Sequence, residues 1–269
     1  MIILSVAAAV VLAGVLAVYL VDAGNLLGLS DRLQESGLEI GVLYYYLYRD
    51  GGPIELVQWS FLALMTLTAA YQSGRWSQKK DVARFWISGA LLGMLMLMED
   101  MGNVRHLLAD IAAQLLPVPD WLARTVVETG FYLLIASPAV VTALLYRRVP
   151  ASVRPPGKLL VPGAVLYAVA ATASASRAVN DWYVMAGHRI HTSAFSGRLP
   201  LMPDGFWGVE VGGDVTAFLL MDFLVEESIE LLGAGFVLAA TVGAIVRYQA
   251  REQDSHRRHR NGNSTPGCA

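Results

Sequence analysis

Two short groups of acidic residues carry most of the chemistry this chain could perform. The first is Glu99-Asp100, followed by Asn103 and His106; the second is Glu226-Glu227 with Glu230, preceded by Asp222. At about 100° per residue on an ideal helix, Glu99, Asn103 and His106 fall within an arc of about 60°, with Asp100 on its flank and Arg105 pointing away. Asp222, Glu226 and Glu230 form an i, i+4, i+8 stripe with Glu227 beside it. Carboxylates facing one another can ligate a divalent metal or pass a proton or cation. They can also divide into general acid and general base when neighbours separate their proton affinities. A structural role is the alternative, because acids in a first helical turn favour the N-terminal dipole and can pair with Arg105, Arg124 or Arg177. That alternative fits the isolated Glu55 and Glu128 better than the two clusters, where like charges at close spacing repel unless something neutralises them.

The elements that must hold these acids are set by composition. Of 269 residues, 55% are apolar and 16% charged, whereas a soluble domain is roughly one quarter charged. The deficit is regional, and long uncharged runs alternate with short polar connectors. An apolar helix of about 20 residues crosses the ~30 Å of bilayer hydrocarbon. The expected fold is all-α, a polytopic bundle of six spans over residues 2–21, 54–72, 85–104, 125–146, 159–176 and 226–247. The first run has no Lys or Arg before it and reads as a retained helix rather than a cleaved signal. Proline at position 53 suits the first turn of the second. In the third, the uncharged run ends at Met98, too early to cross, so Glu99, Asp100 and Asn103 must lie at membrane depth or at its interface. Asn103 after Gly102 is a possible local end to that helix.

Lysine and arginine in short connectors orient such a chain. The connectors after the second and fourth spans, and the segment after the sixth, hold 13 of the 20 basic residues but 3 of the 22 acids. That side is expected to be cytoplasmic, with both termini inside, and Trp76, Trp86 and Trp121 fit an aromatic belt. The opposite side collects the remaining acids, an excess that the positive-inside bias does not explain. Residues 251–269 read as a disordered polar tail. The connector 177–214 is long enough for a lid, and its His188 and His191 could ligate a metal or shuttle protons.

Several classes are excluded. A single cysteine, Cys268, allows no intramolecular disulfide and no cysteine-rich metal site. No phosphate-binding glycine loop or G-x-S-x-G elbow occurs, no lysine lies inside a span to form a retinal Schiff base, and no basic patch marks a nucleic-acid partner. Glu55-Leu56-Val57-Gln58-Trp59 opening one span, Glu99-Asp100 closing the next and Glu226-Glu227 with Glu230 in the last resemble an uncharacterised group of bacterial multi-span membrane proteins. In that group the third helix ends in a Glu-Glu-Ile-Ser-Trp-Gly-Gln-Arg-type motif; here Glu99 to His106 shares the acidic pair and a following arginine. The resemblance implies a membrane fold and no particular activity.

The leading expectation is a cell-membrane enzyme acting on a lipid or lipid-linked substrate at an acidic site on the outer face. Glu99, Asp100 and Glu227 are the candidate catalytic groups; Glu99, His106, Glu128, Glu226 and Glu230 are candidate ligands for a divalent metal. A cation- or proton-coupled transporter and a non-catalytic assembly protein are the alternatives. A transporter needs polar groups continuing inward from the acids, whereas an enzyme site needs an apolar floor.

Overall fold

The computed structural model describes residues 1–36, 40–176, 181–202 and 212–262; the side chains at 106, 120, 121, 125, 128, 175, 212–214 and 254–262 are outside that description. Among the described residues the chain is all helix. α1 (Ile2–Val18) runs into a π-helical turn, Tyr19–Ala23, and is followed by the short α2 (Leu29–Glu35) and α3 (Leu43–Tyr48). Next come α4 (Pro53–Arg75), α5 (Lys80–Gly102), α6 (Val104–Leu115), α7 (Asp120–Tyr146) and α8 (Gly157–Ser176). α9 (Trp182–Ser193) and α10 (Gly212–Leu219) precede a second π-helical segment, Leu220–Glu226, which leads into α11 (Glu227–Gly262).

Among the described residues six segments are long and apolar enough to cross a membrane: Ile2–Ala23, Leu43–Arg75, Lys80–Gly102, Leu122–Tyr146, Gly157–Ser174 and Val215–Gln253. The protein is therefore an integral, multi-pass membrane protein. The elements missed in the sequence lie where apolar run length carries no information. The connector after α8 contains α9 and the start of α10, and His188 and His191 sit on α9 rather than in a loop. α11 extends to Gly262, into the segment read as a disordered tail; before Gly262 that stretch holds no glycine or proline, and its Arg, Glu and Gln residues are good helix formers.

Proline supplies two local features. Pro53 occupies the first turn of α4, where a missing N–H costs nothing. Pro138 lies inside α7 and has no N–H for the carbonyl of Leu134, which instead accepts a hydrogen bond from the Ser137 hydroxyl at 2.9 Å. The carbonyl of Pro138 accepts from Ser88 Oγ of α5 at 2.8 Å and from Thr142 Oγ1 at 2.7 Å, tying α5 to α7.

α11 is the hub. It packs against α1, α4 and α8, while α4 packs along α5 and α5 along α7. α4, α5, α7, α8 and α11 thus form a ring, and α7 and α8 barely touch to close it. The α8–α11 side is close because Gly163 and Gly233 face each other: a Cβ on Gly163 would lie 3.1 Å from the Gly233 carbonyl oxygen. Small residues permit such approaches between membrane helices.

Three apolar clusters stack along the bundle. At the acid-rich end Tyr44, Tyr48, Phe195, Leu199, Leu219 and Phe223 belong to one that joins α3, α10 and the chain beyond α9. In the middle Leu62, Met65, Ala234 and Leu238 form a second, flanked by Tyr167. At the basic end the third includes Phe85, Trp86, Val149 and Val153. Trp86 is buried there and does not belong to an aromatic belt; its neighbours Phe85 and Tyr146 form a sheltered aromatic group.

Asp22 was not singled out in the sequence, yet it fixes the acid-rich end. Both carboxylate oxygens accept backbone N–H groups at the start of α3, Leu43 and Tyr44, each at 2.8 Å. Asp22 is 3% exposed, so it caps α3 from another helix. Replacing Asp22 with Ala strands two buried N–H groups, and we expect a loss of about 2 kcal/mol. In detergent this reads as a Tm lowered by several degrees; an unchanged Tm would remove the capping role.

Candidate functional site

The break between α5 and α6 builds the first half of the site. Asn103 adopts the left-handed conformation (φ 45°, ψ 38°) and its N–H bonds the Glu99 carbonyl at 2.8 Å. Asn tolerates this region better than most residues. The helix therefore does not continue at a constant 100° per residue, and Arg105 does not point away from Glu99 as a straight helix requires. Its backbone N–H donates to Glu99 Oε2 at 3.1 Å and its Nε to Oε1 at 2.6 Å. The two side chains are 8 and 14% exposed, so this is a buried pair. Arg105 also reaches Ser174 of α8 at 3.5 Å, and its guanidinium lies 4.9 Å from the centre of the Tyr132 ring of α7.

The second half centres on Gln58 of α4, which is fully buried. Its amide nitrogen donates to Asp100 Oδ2 of α5 and to Glu230 Oε2 of α11, both at 2.8 Å. One side chain thus uses both N–H groups to hold two carboxylates from different helices. Its own Oε1 is buried without a partner. Glu227, one turn before Glu230, lies among Glu230, Glu55, Asp100 and Glu226, and its Oε2 is also buried and unpartnered. Tyr167 of α8 lies among Asp100, Glu230 and Glu227. A Cβ on Gly233 would come within 3.1 Å of the Tyr167 ring, and its hydroxyl has no partner.

The remaining acids divide. Glu55 is buried and its Oε2 accepts the N–H of Gly51, closing the start of α4 in the manner of a capping box. Glu226 accepts a 2.7 Å hydrogen bond from the Tyr183 hydroxyl of α9, which lies 3.3 Å from Asp222. The π-helical segment Leu220–Glu226 breaks the regular α-helical spacing, so Asp222, Glu226 and Glu230 do not form one stripe: the first two meet α9 and the third meets α4.

The structure thus brings Asp100, Glu227 and Glu230 together, places Glu99 on Arg105 beside them, and gives Glu226 to Tyr183. The side chains of His106 and Glu128 lie outside the described residues. Among the described residues no three His, Cys, Asp or Glu side chains converge closely enough to hold a metal. His191 Nε2 lies 3.3 Å from the Leu199 carbonyl oxygen, a structural contact. Sequence reasoning missed Gln58 and Tyr167 as members of the site, and offered Arg105 as a pairing partner for the acids while setting it on the opposite face from Glu99. An amide three residues after Glu55 in an apolar span was the available signal for Gln58. Tyr167 left none, because a tyrosine in a membrane helix is ordinary. No family model, curated protein or solved structure matches this chain.

The Glu99–Arg105 pair gives a test of the site's frame. Truncating one partner leaves a buried charge uncompensated, which typically costs about 3–5 kcal/mol, whereas an apolar pair of similar size is far better tolerated. Arg105→Ala should therefore lower Tm strongly, and Glu99→Gln combined with Arg105→Met should recover much of the loss. Additive losses in the double variant would show that the two side chains do not act as a pair.

Proposed function

We propose that this protein is a membrane-embedded enzyme whose acid-rich site acts on a lipid or lipid-linked substrate. The observation that carries the reading is Gln58, whose amide holds Asp100 and Glu230 together beside the unpartnered carboxylate oxygen of Glu227. Paired carboxylates in different surroundings are the ordinary means of running acid and base steps side by side. Asp100 is held by a donated hydrogen bond, whereas Glu227 has an oxygen free to accept a proton from a substrate. Glu99 and Arg105 serve as positioning residues.

The layer below favours this over transport. Leu62, Met65, Ala234 and Leu238 form an apolar contact between α4 and α11, between the acids and the basic end. A conducting path between these two helices would have to cross it. The charge distribution supports the basic end as cytoplasmic, which places the site toward the outer face of the cell membrane. The reading rests on the carboxylate acid–base chemistry of Asp100 and Glu227; the side chains of the candidate metal ligands His106 and Glu128 lie outside the described residues.

The test is turnover. Purified protein is incubated with total membrane lipid, and lipid species are followed by mass spectrometry. A time-dependent change with the native protein, reduced at least about 100-fold in Asp100→Asn and Glu227→Gln variants of unchanged Tm, supports acid–base catalysis of this size. No change with the native protein, or equal change with both folded variants, overturns it.

A further inference from the structure

Three of the buried polar atoms without partners lie against Asp100, Glu227 and Glu230 and can accept a hydrogen bond. Gln58 Oε1 is an acceptor, Glu227 Oε2 is one when its carboxyl is ionised, as it would be opposite a cation, and the Tyr167 hydroxyl can accept as well as donate. A buried polar atom without a partner is costly, and a group carrying several N–H donors would satisfy all three. Charge points the same way. Asp100, Glu227 and Glu230 gather around one amide, while the guanidinium beside them, Arg105, is bound to Glu99. The complement to the site is therefore a cation that carries N–H groups. A quaternary ammonium has the charge but no donors, and a phosphate or carboxylate has neither.

The ring also shows where such a group can enter. Its five members each contribute a site residue: Gln58 from α4, Asp100 from α5, Tyr132 from α7, Tyr167 and Ser174 from α8, and Glu227 and Glu230 from α11. Four of the five ring junctions are packed helix pairs, but α7 and α8 barely touch. Arg105, Tyr132 and Ser174 meet at that junction. Exposed Val126, Leu133, Val165 and Val169 line the outer surfaces of α7 and α8, so an acyl chain can lie against them while its headgroup turns inward.

We propose that the primary ammonium headgroup of a membrane lipid enters between α7 and α8 and donates to Gln58 Oε1, Glu227 Oε2 and the Tyr167 hydroxyl. This rests on the reading above, of which it names the substrate class. Acceptor geometry and helix packing act together here, and neither alone would select an amine over another polar headgroup.

The experiment uses the full chain in detergent, titrated with phosphatidylethanolamine, phosphatidylcholine or phosphatidylglycerol of identical short acyl chains. Thermal stability is the readout. The expected result is a saturable rise in Tm with phosphatidylethanolamine and little with the other two, and a midpoint at least about tenfold weaker in Glu227→Gln and Gln58→Leu. Equal shifts with ethanolamine and choline headgroups, or a preference for the anionic lipid, overturn the assignment. If either variant fails to fold, the three-lipid comparison on the native chain decides alone. A phosphatidylethanolamine carrying a photoactivatable acyl chain should label α7 and α8 peptides; labelling spread evenly over all six membrane segments overturns the entry route. Turnover of another lipid without ethanolamine-selective binding would sink the headgroup while leaving an enzyme. Selective binding without turnover would leave the headgroup and sink the enzyme.

Discussion

The arrangement of this bundle depends on how several carboxylates are held inside helices that are otherwise apolar enough to cross a membrane. An acid at that depth is expensive unless it finds hydrogen-bond donors or an opposite charge. Gln58 supplies donors to Asp100 and Glu230, and Arg105 supplies charge and hydrogen bonds to Glu99. Each solution binds separate segments of the chain. Gln58 fastens α4 to α5 and α11 together, and Arg105 folds α6 back onto the end of α5 while touching α7 and α8. Solving the electrostatic problem of the acids is therefore the same act as assembling the ring.

Backbone irregularities make those solutions possible. Asn103 in the left-handed region turns the chain so that Arg105 can face a residue only six positions earlier. A straight helix would put the two on different faces. The two π-helical segments each carry an aspartate, Asp22 in Tyr19–Ala23 and Asp222 in Leu220–Glu226. π-turns inside helices shift side chains out of regular register and are frequent at functional positions. Here one aims a carboxylate at the backbone of α3, and the other separates Asp222 and Glu226, which meet Tyr183, from Glu230, which meets Gln58. The acid-rich end is thus built by departures from ideal helix geometry, while the basic end is built from ordinary apolar packing around Phe85 and Trp86.

This division explains what was legible in the sequence. Membrane crossing is a property of run length and composition, so all six segments and their helical nature could be read from the order of residues alone. The acids of the site could be read too, because Glu99-Asp100 and Glu226-Glu227-Glu230 stand out against apolar neighbours. Their partners could not. Helical-wheel geometry put Arg105 on the wrong face because the wheel assumes an unbroken helix. It put Asp222, Glu226 and Glu230 on one stripe because it assumes a uniform 3.6-residue turn. Gln58 and Tyr167 are met across the bundle rather than along the chain, and long-range pairing leaves no periodic trace. Trp86 shows the reverse error: its position near a helix end fits an interfacial belt, but the burial of its ring is decided by α7 and the chain following it.

The middle apolar layer bears on what the acids are for. Buried polar atoms without partners occur at both ends of the bundle, but Gln72 Nε2 and Trp86 Nε1 at the basic end are donors, whereas Gln58 Oε1, Glu227 Oε2 and the Tyr167 hydroxyl beside the acids can accept. Below the acids α4 and α11 meet through the apolar side chains Leu62, Met65, Ala234 and Leu238, so the carboxylates on these two helices do not continue as a polar seam between them. Unmet acceptors beside the acids and an apolar contact beneath them set the two ends of α4 and α11 apart chemically. The ring is least tightly closed between α7 and α8, which barely touch and whose outward side chains Val126, Leu133, Val165 and Val169 are apolar.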